Sequence, residues 1–195
     1  MIKKILFASQ NPGKFAEAKD LAAFYGFELI APKDVELESL EVEEHGNSYV
    51  ENAKLKALAF FEASNMPVIA DDAGLEIESL GGKPGLHSAR YGGDVSFEEK
   101  IKLLLAELDK VEKREASFVC TMCFLSSNFD LTVEASLKGK IASAASGDGG
   151  FGYDSIFIPE GHDNTLAELK KTGEFETHRI KALNDLFAKL LVFLN

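Results

Sequence analysis

The chain has no tryptophan, two cysteines in 195 residues, and a shortage of positive charge: 21 Lys and Arg face 32 Asp and Glu, a formal net charge of −11. That shortage argues against a protein that grips nucleic acid by its phosphates, because such binding needs clustered Lys and Arg. An anionic ligand would have to be met locally, by a few basic side chains, backbone amides or a metal ion. No stretch approaches the roughly 20 apolar residues of a membrane-spanning helix. The apolar run 5–8 behind Lys3 and Lys4 is too short for the core of a signal peptide. Cys120 and Cys123 lie three apart in the strand-like stretch 117–125, where they would face opposite sides. With no His/Cys set at zinc spacing, they read as buried core thiols of a reducing cytoplasm.

What is there is ordinary globular material, long enough to bury a sizeable core in one domain or two closely joined lobes. Residues 5–8 read as a strand and 9–14 as a loop. Phe15, Ala18, Leu21, Ala22 and Tyr25 recur at helical spacing, with Gly26 as a cap. Residues 27–31 read as the next strand. Ser48 with Glu51 predicts a capping box and a helix to about residue 63; Ser96 with Glu99 repeats the signal before Ile101, Leu104, Leu105 and Leu108. Two β-rich runs between 116 and 137 flank Ser126, Ser127 and Asn128 as a hairpin. Glycines 147, 149, 150 and 152 lead into Tyr153, Asp154 and a strand at 156–158. The last helix starts near Thr177 and carries Ile180, Leu183, Leu186, Phe187 and Leu190. This order predicts an α/β fold, a long mixed sheet with helices on its faces.

Asp71 and Asp72 stand where the apolar run 67–70 stops and a glycine-spaced stretch begins. A strand delivering adjacent carboxylates to a loop puts negative charge at a sheet edge, and only one of the two can face a given cleft. Residues 9–14 form a loop entering a helix, which offers backbone amides at the positive end of the dipole, with Lys14 adding full charge. It is not a Walker A loop, since the first glycine is missing and no Ser or Thr follows the lysine. Asn52 and Lys56, four apart, share a helix face. Glu43, Glu44, Asp71 and Asp72 are metal candidates, because magnesium prefers one or two carboxylates, waters and phosphate oxygens. Glycines beside Phe151 and Tyr153 let a flat ligand approach the backbone and stack. Each piece alone has a plain alternative: solvated turn aspartates, a β-α turn stiffened by Pro12, an amphipathic helix face, a tight turn into a core strand.

Seven motifs in order change that balance: Ser-x-Asn-x-x-Lys, Glu-Asn-Ala-x-x-Lys-Ala, Ala-Asp-Asp-x-Gly-Leu, Gly-Gly-x-Pro-Gly, Ser-Ala-Arg-Tyr, Gly-Gly-Phe-Gly-Tyr-Asp and His-Arg-x-x-Ala-Leu. The set strongly resembles the inosine triphosphate pyrophosphatase family, the dITP/XTP pyrophosphatases, over nearly the whole chain. The resemblance implies one domain over residues 1–195, an elongated two-lobed α/β fold around a long mixed sheet, with a nucleotide cleft between the lobes. It implies a cytoplasmic homodimer that hydrolyses ITP, dITP and XTP to the monophosphate and pyrophosphate with Mg2+, keeping deaminated purines out of DNA and RNA. By matching position, Asp72 corresponds to the general base and a metal ligand, and Glu43 to the second metal ligand. Ser9, Gln10, Asn11, Pro12, Gly13, Lys14 and Lys56 match phosphate-binding positions. Ala73, Phe151, Gly152, Tyr153, Asp154, His178 and Arg179 match substrate contacts, the last group around the base. Three departures stand out. Ala73 replaces a serine, Ser155 replaces a proline, and Gly173 stands at a lysine position for which Lys170 or Lys171 could substitute.

Arginine only donates hydrogen bonds, so Arg179 near the purine 6-position would favour a 6-oxo over a 6-amino group. Three rival readings remain at this level: a nucleotide sensor without catalysis, a relative acting on modified pyrimidines, and a purely structural α/β domain.

Overall fold

The computed structural model describes residues 3–173 and 175–194. Among these, the chain runs β1 (Lys4–Phe7), α1 (Pro12–Phe24), β2 (Glu28–Ile30), α2 (Tyr49–Ser64), β3 (Val68–Ile77), α3 (Phe97–Glu107), β4 (Glu115–Leu125), β5 (Asp130–Ile141), β6 (Phe157–Pro159), α4 (Leu166–Thr172) and α5 (His178–Leu194). The sheet order is β2-β1-β3-β4-β5-β6. It is mixed: β1 pairs in parallel with β2 and β3, while β5 and β6 are antiparallel. The α/β expectation holds, and no described helix is long and apolar enough to cross a membrane.

The chain divides into two compact units. The first takes residues up to Asp72, 120–135 and from His178 onward; the second takes 73–119 and 136–177. The chain passes from one unit to the other within β3, β4 and β5.

In the first unit, β1 and β3 alternate cleanly between two faces. Leu6, Ala8, Val68 and Ala70 pack against Ala53, Ala57 and Phe60 of α2. Phe7, on the opposite side, meets Phe15 of α1, and Phe27 stacks on Phe187 of α5 with centroids 5.4 Å apart. Even-numbered β3 residues up to Asp72 therefore look toward α2, and odd-numbered ones toward α1 and α5. The core of the second unit joins Leu75, Ile101, Leu104, Phe118, Tyr153 and Phe157.

Most expected elements are present, with four informative differences. α1 begins at Pro12 rather than Phe15, because Asn11 caps it and proline suits the first helical position. α2 is capped by Ser48, but the Glu51 carboxylate accepts from Asn47 N (2.7 Å), one residue earlier than a capping box would have it. β3 does not stop before Asp71; it runs straight through both aspartates to Ile77. The short α4 went unread although Thr165 and Glu168 carry a complete capping box. Both cysteines are free and buried, and burial pushes the Cys120 thiol up to about 12.

β6 lies at the sheet edge, where Pro159 costs no ladder bond, and Gly139 sits opposite it. A Cβ on Gly139 would run into the Ile158 carbonyl and the Phe157 ring. Gly139→Ala is expected to destabilise by about 1–3 kcal/mol, the usual range for overpacking, read as a lowered denaturant midpoint at unchanged slope.

Candidate active site

Asp71 and Asp72, as successive residues of β3, project to opposite faces and meet different partners within the first unit. Asp71 is fully buried. Its Oδ2 pairs with Lys14 Nζ at 2.8 Å and, more loosely, with Arg179 Nε at 3.4 Å. Burial pushes its carboxyl up, but Lys14, Arg179 and Lys56 outweigh that and hold it far below the usual carboxylate range. Asp72 faces α2, where Asn52 Nδ2 donates to its Oδ2 at 3.0 Å. Here burial wins: the Asp72 carboxyl is raised, only partly offset by the Asn52 hydrogen bond and Lys56.

The α2 cap fixes this arrangement. Starting the helix at Tyr49 puts Asn52 and Lys56 on one face, as their spacing predicts. Asn52 is 1% exposed; while its amide donates to Asp72, its Oδ1 accepts from Gly46 N at 2.8 Å. A side chain at Gly46 would collide with Asn52 and Glu51, so a glycine lets this loop close on the helix end. Lys56 Nζ donates to the Asp71 carbonyl (2.9 Å) and pairs with the Glu44 carboxylate. Burial works against the Lys56 ammonium, yet Asp71, Glu44 and Asp72 raise its pKa regardless.

The acidic partner that reaches this cluster is Glu44. Its charge bears on both Lys56 and Asp72, whereas Glu43 is exposed and contributes its backbone carbonyl to the His45 ring. Glu44, one residue on from the Glu43 expected to share a metal with Asp72, is thus the acid that pairs with Lys56, a contact that alternation in an irregular loop does not reveal.

The loop before α1 also differs from expectation. The amides of Gly13 and Lys14, predicted to be open to an anion, are occupied by Asn11 Oδ1 at 2.9 and 3.3 Å. Asparagine is among the best helix caps, so the loop satisfies its own helix end. Ser9 Oγ accepts from Asn11 N, and the exposed Gln10 donates to the Leu40 carbonyl. Pro12 opens the helix. A cavity of about 360 Å³ lies here, lined by Ser9, Gln10, Leu40, Glu44, Lys56 and Phe60 among others.

His178 is buried at the start of α5. Arg179 is 3% exposed, with NH1 on Glu17 of α1 at 2.8 Å in addition to Asp71. Arg179 is expected from the resemblance to contact the base; within the first unit its guanidinium also meets two carboxylates. Nothing in the spacing of Glu17 announced that pair.

The remaining expected residues belong to the second unit. Ala73 is half-buried on β3. Tyr153 is a core residue whose hydroxyl donates to the Ser88 carbonyl at 2.9 Å. Asp154 accepts from Phe151 N (3.0 Å) and Lys170 Nζ (2.9 Å), and the same ammonium lies 5.1 Å from the Phe151 ring centroid. Gly152 joins Phe151 to Tyr153. Of the two lysines near Gly173, Lys170 therefore joins this group, while Lys171 pairs with the exposed Asp148. A larger hollow of about 640 Å³ in this unit, edged by Glu76, Glu115, Lys138, Lys140 and His162, contains none of the expected site residues.

Among the described residues no three His, Cys, Asp or Glu are grouped to cage a metal. Asp72 and the acids of the 43–44 loop are nevertheless donors of the kind magnesium takes, one or two carboxylates completed by waters and phosphate oxygens. The charge count points the same way: Lys14, Lys56 and Arg179 stand against Asp71, Asp72, Glu44 and Glu17. Three cations against four carboxylates give a polyanion no net attraction until further positive charge is supplied.

The sequence model of the Ham1 family matches residues 5–189. A dITP/XTP pyrophosphatase of Haemophilus influenzae is 42% identical, over 97% of this chain and 100% of that protein. One of Bacillus subtilis is 39% identical over 98% of each. Among solved structures, the Staphylococcus aureus Ham1 protein superposes with a TM-score of 0.85 at 38% identity, covering 96% of this chain and 98% of its own. A nucleoside-triphosphatase, dITP/XTP pyrophosphatase, from Mycobacterium abscessus gives 0.71 at 38% identity over 98% of each.

Proposed function

The chain belongs to the Ham1 family, and from that premise we propose that it is a nucleoside-triphosphate pyrophosphatase acting on the deaminated purines ITP, dITP and XTP. The observation that carries this reading is Asp72: a carboxylate of raised pKa, oriented by Asn52, in a cluster that also holds Lys14 and Lys56. Hydrolysis forms a bond between a water oxygen and the α-phosphorus and breaks the bond from that phosphorus to the bridging oxygen, which leaves with pyrophosphate. Asp72 takes the water's proton as the general base. The Asn52 hydrogen bond orients the Asp72 carboxylate for that task. Lys14 and Lys56 stabilise the charge gathering on the departing pyrophosphate.

Asp72 and Glu43 are the residues proposed to hold a divalent cation, which we take to be Mg2+, with Glu44 paired to Lys56 beside them. When bound, it supplies the positive charge that lets a triphosphate approach four carboxylates. Asp154, with Lys170 and Phe151, is proposed as base-contacting. The same proposal extends to a cytoplasmic homodimer that clears deaminated purines from the nucleotide pool.

The test is pyrophosphate release from ITP, dITP, XTP, ATP and GTP, with and without chelator. ITP and XTP are expected to turn over at least about 10²-fold faster than ATP, within reach of a site that leaves polar groups unpaired around a wrong base. Chelation is expected to abolish release. Equal rates for ITP and ATP would remove the base preference, and no release from any of the five would remove the activity.

A further inference from the structure

We propose that Asp71 is a positioning residue, whose side-chain carboxylate and backbone carbonyl together set the ammonium groups of Lys14 and Lys56 for the triphosphate. The inference rests on the reaction proposed above. It goes beyond that reading because Asp71 has no part in the chemistry itself: it is fully buried and faces away from Asp72 and Asn52.

Three contacts carry the argument. Lys14, on α1, reaches Asp71 Oδ2 at 2.8 Å. Lys56, on α2, reaches the carbonyl oxygen of the same residue at 2.9 Å. Arg179, on α5, approaches Oδ2 at 3.4 Å and is anchored in turn by Glu17. One residue of a central strand thus receives cations from helices on both faces of the sheet, through two chemically different acceptors. Oδ1 accepts no hydrogen bond among the described residues, so Lys14 can move between the two oxygens without leaving the carboxylate.

The physical benefit is preorganisation. A lysine swings on four rotatable bonds and loses that freedom when it grips a ligand. If Asp71 orders both ammonium groups during folding, the loss no longer weighs against binding the triphosphate. A neutral residue would fix Lys14 poorly, since hydrogen bonds between charged partners are about twice as strong as neutral ones. Arg179 then keeps the carboxylate charged after Lys14 has turned part of its attention to a phosphate.

Inorganic tripolyphosphate with Mg2+ is the probe, because it carries the phosphates and no base. Asp71→Asn keeps the shape and the carbonyl contact to Lys56 while removing the charge. Its affinity for tripolyphosphate by calorimetry is expected to fall about 10-fold, with KM for ITP rising by a similar factor, a smaller change in kcat, and the ITP-to-ATP preference unmoved. In a Lys14→Gln background the same substitution is expected to change tripolyphosphate affinity less than about 2-fold, since the group it acts through is gone. A folded Asp71→Asn protein that binds tripolyphosphate as the parent does, or independent losses in the double variant, would overturn the role. If Asp71→Asn does not fold, the unaltered protein is followed by nitrogen-15 NMR of its lysine ammonium groups. A resolved, slowly exchanging Lys14 signal without ligand supports positioning, and one averaged away by solvent refutes it. Parent protein that binds tripolyphosphate but releases no pyrophosphate from ITP would instead defeat the proposed reaction.

Discussion

Asp72→Asn is expected to release pyrophosphate from ITP at least about 10²-fold more slowly than the parent, the low end for loss of a positioned base. The substitution keeps the size of the side chain and can still meet Asn52, provided one amide flips, so β3 and its circular dichroism should be unchanged. Both kcat and KM should change, because Asp72 in the proposed reaction is at once the proton acceptor of the transition state and a holder of the cation that admits the triphosphate. Raising the pH should not restore the rate, since the amide has no proton to lose. Turnover near the parent's would take Asp72 out of the chemistry and leave the raised pKa as a mere consequence of burial.

Lys56→Met is the second large effect. Methionine fills much of the volume of the lysine stem, so packing beside Phe60 in the wall of the 360 Å³ cavity should survive. What goes is the cation shared by Glu44, the Asp71 carbonyl and, in the proposed reaction, the leaving pyrophosphate. Loss of one such preorganised charge typically costs about 10²–10³ in rate, and that is the fall expected in kcat/KM for ITP. Glu44 is partly exposed and can be hydrated after its partner is removed, so the thermal midpoint should shift little. A fall in kcat/KM of less than about threefold would exclude Lys56 from transition-state stabilisation.

Much of this was legible in the sequence because it depends on local rules. Helix caps at Ser48 and Ser96 appear where the hydroxyl-x-x-acid spacing put them, and the four-residue interval between Asn52 and Lys56 placed both on one face. The strand ends were harder. A run of apolar residues interrupted by two aspartates looks like a strand ending in a loop, but paired charges allow an acid to stay in a sheet, and Lys14 and Arg179 come from residues far from Asp71 in the chain. That Glu44 is the acid paired with Lys56 was equally hidden: side-chain direction in an irregular segment follows from what the loop packs on, and no periodicity records it. Motif order identified the family, yet the motif alone did not show Glu17 as the ion-pair partner of Arg179.

Because β3 continues unbroken through its acidic pair, the sheet itself acts as a partition. Two identical side chains, one peptide bond apart, end up on opposite faces with different partners, one held charged by Lys14 and Arg179 and the other beside Asn52, its carboxyl raised by burial. Their identity is positional, not chemical. Removing a single residue from the stretch 68–70 would exchange their sides, sending the Asp72 carboxylate among the arginine and lysine and leaving Asp71 beside Asn52, with every group of the proposed reaction still present and each parted from its partner.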